Sequence, residues 1–273
     1  YPNAKQTLVF ERSDNDYKFG TKFKFDDLKE KTIKNKLFLT SAASWNTNET
    51  TKSAYTYLAE KFIVNTKNEV NLQWINYTID KFLEEQGKTK EKILNIMKSV
   101  GNEHLSEIIV SKTPATLSAA DLPPDLPSEL KKMMIENPGF KTEIKINHNY
   151  DNNIYQTDIS EESEGFNKMF AISGPLADIL ENGKVLVFDE LETSLHPKLL
   201  EFIIKLFHDK KTNPNNAQLI FTTHSTEILN LDLFRRDQIY FVEKKDSGMT
   251  NLYPLISLNN IKKDDNIRKR YLV

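Results

Sequence analysis

The stretch Lys184–Pro197, KVLVFDELETSLHP, decides how this chain is read. Val185–Phe188 form a short, continuously apolar run, the pattern of a strand buried on both faces of a sheet. It ends in two acids, Asp189 and Glu190, at the strand's carboxyl end, where open α/β sheets place ligands. Pro197 then stands at the first position of a helix, where its missing N–H costs nothing. Thirty-five residues after Asp189 a second apolar run, in Gln218–Ser225 (QLIFTTHS), ends with His224. An acid pair at a strand end is by itself compatible with a solvated terminus or a helix cap. Followed by a helix and a second strand ending in histidine, it is a layout suited to phosphate hydrolysis. One acid can hold the shell of a divalent cation, the next can orient or deprotonate a water, and the histidine can bond a phosphate.

The surrounding pattern is α/β. Phe166, Met169, Phe170, Ser173, Leu176, Ile179 and Leu180 recur at helical spacing up to the stop signal Asn182-Gly183, with Pro175 expected to kink the helix. Downstream the pattern predicts a helix over Pro197–Phe207, a strand over Gln218–Thr222, a short helix after Ser225, and strands near Ile239–Val242 and Leu252–Ile256. Apolar strands separated by helices predict a parallel sheet covered on both faces. At the other end, Thr7–Arg12 and Tyr17–Phe25 predict a hairpin around Ser13–Asp16. From about Ser41 the spacing is helical. Trp45, Tyr55, Leu58 and Phe62 fit one helix, Trp74, Tyr77, Ile79 and Phe82 the next, and residues Lys90–Val100 a third, with the aromatic residues read as core. Ser111–Ser128, with four prolines, reads as a connector. A short helix over Glu129–Ile135 and a β pair over Phe140–Asn147 and Asn153–Asp158 follow. The expected organisation is a β portion over 1–40, a helical insertion over 41–139, a core over 140–261 and a basic tail over 262–273.

Bulk composition excludes several classes. At 273 residues the chain can bury a substantial core, and a formal charge of −2 gives no global field for nucleic acid or membrane surfaces. The lysine runs Lys88–Lys92 and Lys262–Arg270 read as solvated faces. With no cysteine there is no disulfide framework, which suits a reducing cytoplasm. No apolar run approaches the ~20 residues of a membrane span. Opening on Tyr1, the chain reads as a piece lacking its natural N-terminus. Glu190, Glu192 and His196 together lack the spacing of a preorganised zinc centre.

FDELETSLHP followed by FTTHS resembles the Walker B, D-loop and H-loop of the ABC-type ATPases, the branch shared with SMC and double-strand-break repair ATPases and with the OLD-like (AAA-type) family. ELETSLHP is most similar to the OLD-like branch, which serves in prokaryotic antiphage and abortive-infection systems. Glu162-Ser163-Glu164-Gly165-Phe166, at the start of the Phe166–Asn182 helix, resembles that branch's degenerate signature motif, and Leu37–Phe62 resembles part of its helical insertion. A helix start offers free N–H groups and a positive dipole end to an anion.

The resemblance implies an ATPase head using ATP and Mg²⁺. Asp189 would be the Mg²⁺-associated acid, Glu190 the catalytic base and His224 the switch histidine. Ser194, Leu195 and His196 would form the D-loop across a dimer seam, and Ser163 and Gly165 the signature acting on the neighbour's nucleotide. It also implies a homodimer or higher homo-oligomer controlling an effector, a nuclease or toxin, with nucleic acid reached through that partner and no membrane. One element departs from the family: no G-x-x-x-x-G-K-[ST] is present. Gly87-Lys88-Thr89 is a decoy, since Phe82 occupies the required glycine position and a helix precedes it. No Q-loop glutamine is assignable; Gln6 is poorly placed. Two alternatives stand beside the ATPase switch: an inactive scaffold or toxin-sequestering module, and a DNA-repair ATPase of the SMC or recombination type, for which coiled-coil heptads are lacking.

Overall fold

Alternating aromatics at the N-terminus fold as a hairpin shorter than their spacing predicts, the strands covering Phe10–Ser13 and Asp16–Phe19 while residues 7–9 and 20–25 lie outside them. In the computed structural model, which describes residues 6–45, 48–65, 72–84, 88–258 and 267 (without the side chains of Lys88 and Ser194), the chain divides into two units, Tyr1–Val64 and Asn65–Val273. In the first unit β1 (Phe10–Ser13) pairs antiparallel with β2 (Asp16–Phe19) through a two-residue turn in which Asp14 takes a positive φ of 53°. Helices α1 (Asp26–Lys29), α2 (Phe38–Ser44) and α3 (Glu49–Lys61) follow. Phe25, Leu28, Phe38 and Ala42 form the core, with Phe10, Tyr17, Phe19 and Phe23 packed on it. Arg12 closes the unit by donating to the carbonyls of Asp14, Lys34 and Lys36.

The single helix expected through Trp45, Tyr55, Leu58 and Phe62 is broken. α2 stops before Trp45, and α3 starts afresh where the Asn48 side chain accepts from Thr50 N at 2.8 Å. Phe62 opens β3 (Phe62–Asn65) instead of closing a helix. Trp45 is 58 % exposed, with Lys31 Nζ 4.4 Å from its ring centre, and so is not the core residue that its size suggested.

The second unit contains α4 (Leu72–Leu83), α5 (Lys88–Lys98), β4 (Leu105–Pro114), α6 (Ser128–Glu136), β5 (Phe140–Tyr150), β6 (Asn153–Asp158), α7 (Glu164–Asn182), β7 (Val185–Phe188), α8 (Pro197–His208), β8 (Gln218–Phe221), β9 (Tyr240–Lys244) and β10 (Thr250–Pro254). β4, β5 and β6 form an antiparallel sheet, β5 and β6 being joined by Asp151 and Asn152, both at positive φ. The first part of the expected Ser111–Ser128 connector is strand up to Pro114; beyond it come a 3₁₀ turn over Ala119–Asp121 and then α6. β9 and β10 form a hairpin near Ile239, Leu255 and Ile267. The α/β architecture is therefore present, with its parallel part where the sequence placed it. β7 and β8 run parallel in the register Val185↔Gln218 to Phe188↔Phe221, connected through α8. α8 buries Leu200, Ile203, Ile204, Leu206 and Phe207. Among the described residues no helix is long and apolar enough to cross a membrane. Of the decoy tripeptide, Gly87 lies outside the described residues, and Lys88-Thr89 open α5 after helix α4. The basic tail, Ile267 apart, lies outside them too.

α7 is the most buried helix, and Pro175 sits within it. Proline has no N–H, so the carbonyl of Ala171, one turn earlier, loses its helical donor. Thr78 of α4 replaces it: Thr78 Oγ1 donates to Ala171 O at 2.9 Å and accepts from Gly174 N at 3.1 Å. The approach needs glycine, because a Cβ on Gly174 would lie 2.3 Å from Thr78 Oγ1 and 2.8 Å from its Cα. One turn beyond Gly174, Asp178 faces Tyr77, whose hydroxyl is pushed up to about 12 by burial and by that carboxylate. The helix ends where Gly183 adopts φ 56° and Lys184 N bonds Ile179 O at 3.0 Å, and β7 starts at the next residue.

Thr78→Val should therefore strand a buried carbonyl and amide at the helix centre. We expect a loss of about 1–3 kcal/mol in urea unfolding for Thr78→Val, and a smaller one for Thr78→Ser, which keeps the hydroxyl.

Candidate functional site at the carboxyl ends of β7 and β8

The parallel register brings Asp189 beside Thr222, one residue beyond the last paired positions. Thr222 Oγ1 donates to Asp189 Oδ1 at 2.5 Å and accepts from Glu190 N at 2.8 Å. Its main chain continues the ladder: Thr222 N donates to Phe188 O at 3.0 Å, and Leu191 N donates to Thr222 O at 3.2 Å. On the other side Asp189 N donates to Asn65 O at 2.9 Å. Both acids are thus held through their main chains, and the Asp189 carboxylate is exposed above them.

Glu190 occupies the left-handed region at φ 50° and ψ 56°. A non-glycine residue there stores of order 1 kcal/mol, and such residues gather at functional sites. The turn is kept by Thr193 N, which donates to Glu190 O at 3.0 Å. The Glu190 carboxylate then meets Thr193 Oγ1 at 3.5 Å through Oε2 and His224 Nε2 at 3.5 Å through Oε1. Asp189, Glu190 and His224, picked out from the sequence, are therefore gathered into one group. The His224 side chain is 85 % exposed, so packing does not hold it.

The Leu191–Ser194 segment is a 3₁₀ turn anchored by the fully buried Leu191 and followed by the buried Leu195. Ser194 keeps its place in that turn, while its side chain lies outside the described residues. His196 is exposed and caps α8, its Nδ1 accepting from Lys198 N at 3.3 Å. Ser163 and Gly165 stand at the start of α7. Ser163 is the N-cap, its Oγ accepting from Phe166 N at 3.1 Å, and the preceding Glu162 is fixed by His148 Nε2 at 2.8 Å and Thr157 Oγ1 at 2.6 Å. A Cβ on Gly165 would be 3.9 Å from both Leu199 Cδ1 and Ser163 Oγ, an ordinary contact. The fold thus leaves room for a side chain at Gly165, which lies against the first turn of α8.

Two residues at this site escaped the sequence reading. Thr222 reads as an ordinary β-former, and only the register shows that its hydroxyl bridges the acid pair. Glu192 stands in a turn where the sequence offers no zinc spacing and no other signal of a role. It accepts from His224 N through Oε1 at 2.5 Å. Burial pushes its carboxyl up, but the His224 N–H and the adjacent Thr223 hydroxyl outweigh this and leave it below the ordinary glutamate value. Among the described residues no group of three or more His, Cys, Asp or Glu is arranged to hold a metal. A single exposed carboxylate such as Asp189 suits a cation that keeps most of its water shell, as Mg²⁺ does.

A model of the family described as "AAA domain, putative AbiEii toxin, Type IV TA system" matches residues 5–230. Among solved structures, one described as "Structural biochemistry of ATP-driven dimerization and DNA stimulated activation of SMC ATPases" is similar at 12 % identity and a TM-score of 0.41, over 72 % of this chain and 96 % of that one. No curated protein matches the chain.

Thr222→Val should free the Glu190 amide and release the Asp189 carboxylate. Hydrogen exchange at Glu190 N is expected to speed up by about tenfold or more, with Thr222→Ser close to the parent.

Proposed function

We propose, from the premise that the chain belongs to the AAA-domain family whose model covers residues 5–230, that it forms the water-activating part of an ATP-hydrolysing, nucleotide-dependent dimer switch. The observation that carries this reading is the acid pair at the end of β7. Asp189 is bridged by Thr222, and Glu190 is held in a strained turn with its carboxylate against His224. A fold that needed only a strand end would favour glycine or asparagine at φ 50°. Glutamate there is consistent with a carboxylate wanted for its chemistry.

In this reading Asp189 holds the hydrated Mg²⁺ that accompanies ATP, and the cation supplies charge neutralisation on the phosphates. Glu190 orients the attacking water and accepts its proton. His224, 3.5 Å from Glu190, donates to the γ-phosphate and reports its presence to the β8 end. The gain comes from positioning and charge stabilisation, not from a covalent intermediate. The phosphate-gripping loop lies outside these 273 residues, on the natural chain or on another polypeptide.

The D-loop, with Ser194 and His196 carried on a turn rooted by Leu191 and Leu195, crosses the seam to a second protomer. Ser163 and the amides at the start of α7 bind the γ-phosphate held by that neighbour. Gly165 supports this, since among the described residues a Cβ there would meet only ordinary contacts at 3.9 Å. The hydrolysis cycle then controls an effector, a nuclease or toxin, in antiphage defence; the toxin part of this reading is supported by a family description that names a "putative AbiEii toxin, Type IV TA system".

In the full-length protein, Glu190→Gln should trap ATP-bound dimers and abolish phosphate release, measured by light scattering and a phosphate assay. Release at the parent rate would overturn the assignment. Gly165→Ala should stabilise α7 slightly, by up to about 1 kcal/mol, while weakening ATP-dependent dimerisation at least ~10-fold. Dimerisation at parental affinity would remove Gly165 from the interface.

A further inference from the structure

The chain beyond β8 is anchored at Thr222 by the sheet and at Ile228, which is buried. Between these points lies His224, exposed and unsupported by packing. The turn Ser225 N to Thr223 Oγ1, at 3.0 Å, is internal to the segment and fixes its shape, not its position. The main chain between Thr222 and Ile228 is tied to the β7 side by His224 N, which donates to Glu192 Oε1, with the Thr223 hydroxyl beside the same carboxylate and the His224 ring 3.5 Å from Glu190 Oε1. Glu192 can serve as the post because it sits in the 3₁₀ turn between the buried anchors Leu191 and Leu195, with Leu195 N bonded to Glu192 O at 3.0 Å. Its other carboxylate oxygen is buried and receives no well-formed hydrogen bond among the described residues. A carboxylate is costly to place like this, and its charge strengthens the bond to the His224 amide.

We infer that Glu192 is a positioning residue: its carboxylate latches the main chain of His224 to the turn that carries Glu190, and so sets the distance between the His224 ring and the Glu190 carboxylate. The two loops then move as one body. A displacement of the turn after β7, such as a neighbouring protomer pressing on the D-loop, carries His224 with it. The kinetic consequence rests on the ATPase reading above, whereas the latch itself can be tested without nucleotide.

Three forms of the full-length protein decide it: the parent, Glu192→Leu, which removes both acceptors, and Glu192→Gln, which keeps a carbonyl for the His224 amide. In nucleotide-free protein, exchange of the His224 amide should be at least ~10-fold faster in Glu192→Leu than in the parent, with Glu192→Gln in between. Equal exchange in all three overturns the latch, whatever the activity. In steady-state hydrolysis, Glu192→Leu should lower kcat by about 10–100-fold and leave KM for ATP within about threefold, because a shift near 1 Å at a catalytic group costs that much. Glu192→Gln should recover most of the rate. If both variants lose thermal stability and change kcat and KM together without rescue by glutamine, Glu192 is only a structural residue and the inference is wrong. If Glu190→Gln hydrolyses ATP at the parent rate, the ATPase reading fails by itself, and the exchange result still judges the latch.

Discussion

A proline in the middle of the most buried helix removes one main-chain bond, and a threonine on a neighbouring helix supplies it again. That exchange between Pro175 and Thr78 fixes more than a local defect. α7 carries Ser163 and Gly165 at its start, and hands the chain to β7 one residue after the Gly183 cap. The position of the helix along α4 therefore sets where the acid pair emerges. An ordinary helix could slide or rotate by a fraction of a turn against its neighbour at modest cost. Here the Thr78 hydroxyl fits against one carbonyl and one amide only, and Gly174 is the position where the backbones can come close enough. A buried polar contact that must be satisfied specifies register more sharply than apolar packing does.

From that fixed helix outward, local rules are kept until the site and then broken. β7 is apolar as a buried strand should be, Leu191 and Leu195 root the following turn, and Pro197 opens α8 at the position where proline is harmless. Against this background two residues contradict their surroundings. Glu190 holds a left-handed conformation that glycine would adopt without strain, and Gly165 weakens the first turn of a helix that would accept alanine. Sequences normally agree with their structures at every level, and departures without a packing reason concentrate where function imposes them. In the proposed switch one departure lies on the turn that would activate water, the other on the helix start that would meet a neighbour's phosphate.

The same division explains what was legible in the sequence. β7, α7, α8 and β8 were readable to within a residue or two because each has a strong local signal: an unbroken apolar run, a 3.6-residue repeat closed by Asn-Gly, or a proline at a helix start. Asp189, Glu190 and His224 came with them as strand-end residues. β4 was hidden because mainly Leu105 and Ile108 point into the core while much of its outer half is polar and exposed, ending at Pro114. Trp45 was misread because size alone suggests burial, and the break between α2 and α3 depends on a single asparagine cap. Thr222 and Glu192 were illegible for a deeper reason. Their roles come from partners 33 and 32 residues away, through a strand register and a turn that no local pattern encodes.

Asp189 and Glu190 are held by hydrogen bonds that the chain makes to itself, through Asn65, Thr193 and Thr222, and so are preorganised without any ligand. Ser163 and His196 are exposed at helix starts, where each caps its helix. Preorganised donors and acids lower a barrier because their ordering cost is met on folding. Exposed helix starts gain their value only when an anion arrives, since their N–H groups and dipole otherwise face water. In the proposed switch such a surface would gain its affinity from a phosphate presented by the neighbour. Hydrolysis and release would remove the anion that holds two such surfaces together, while the acid pair stays in place for the next nucleotide.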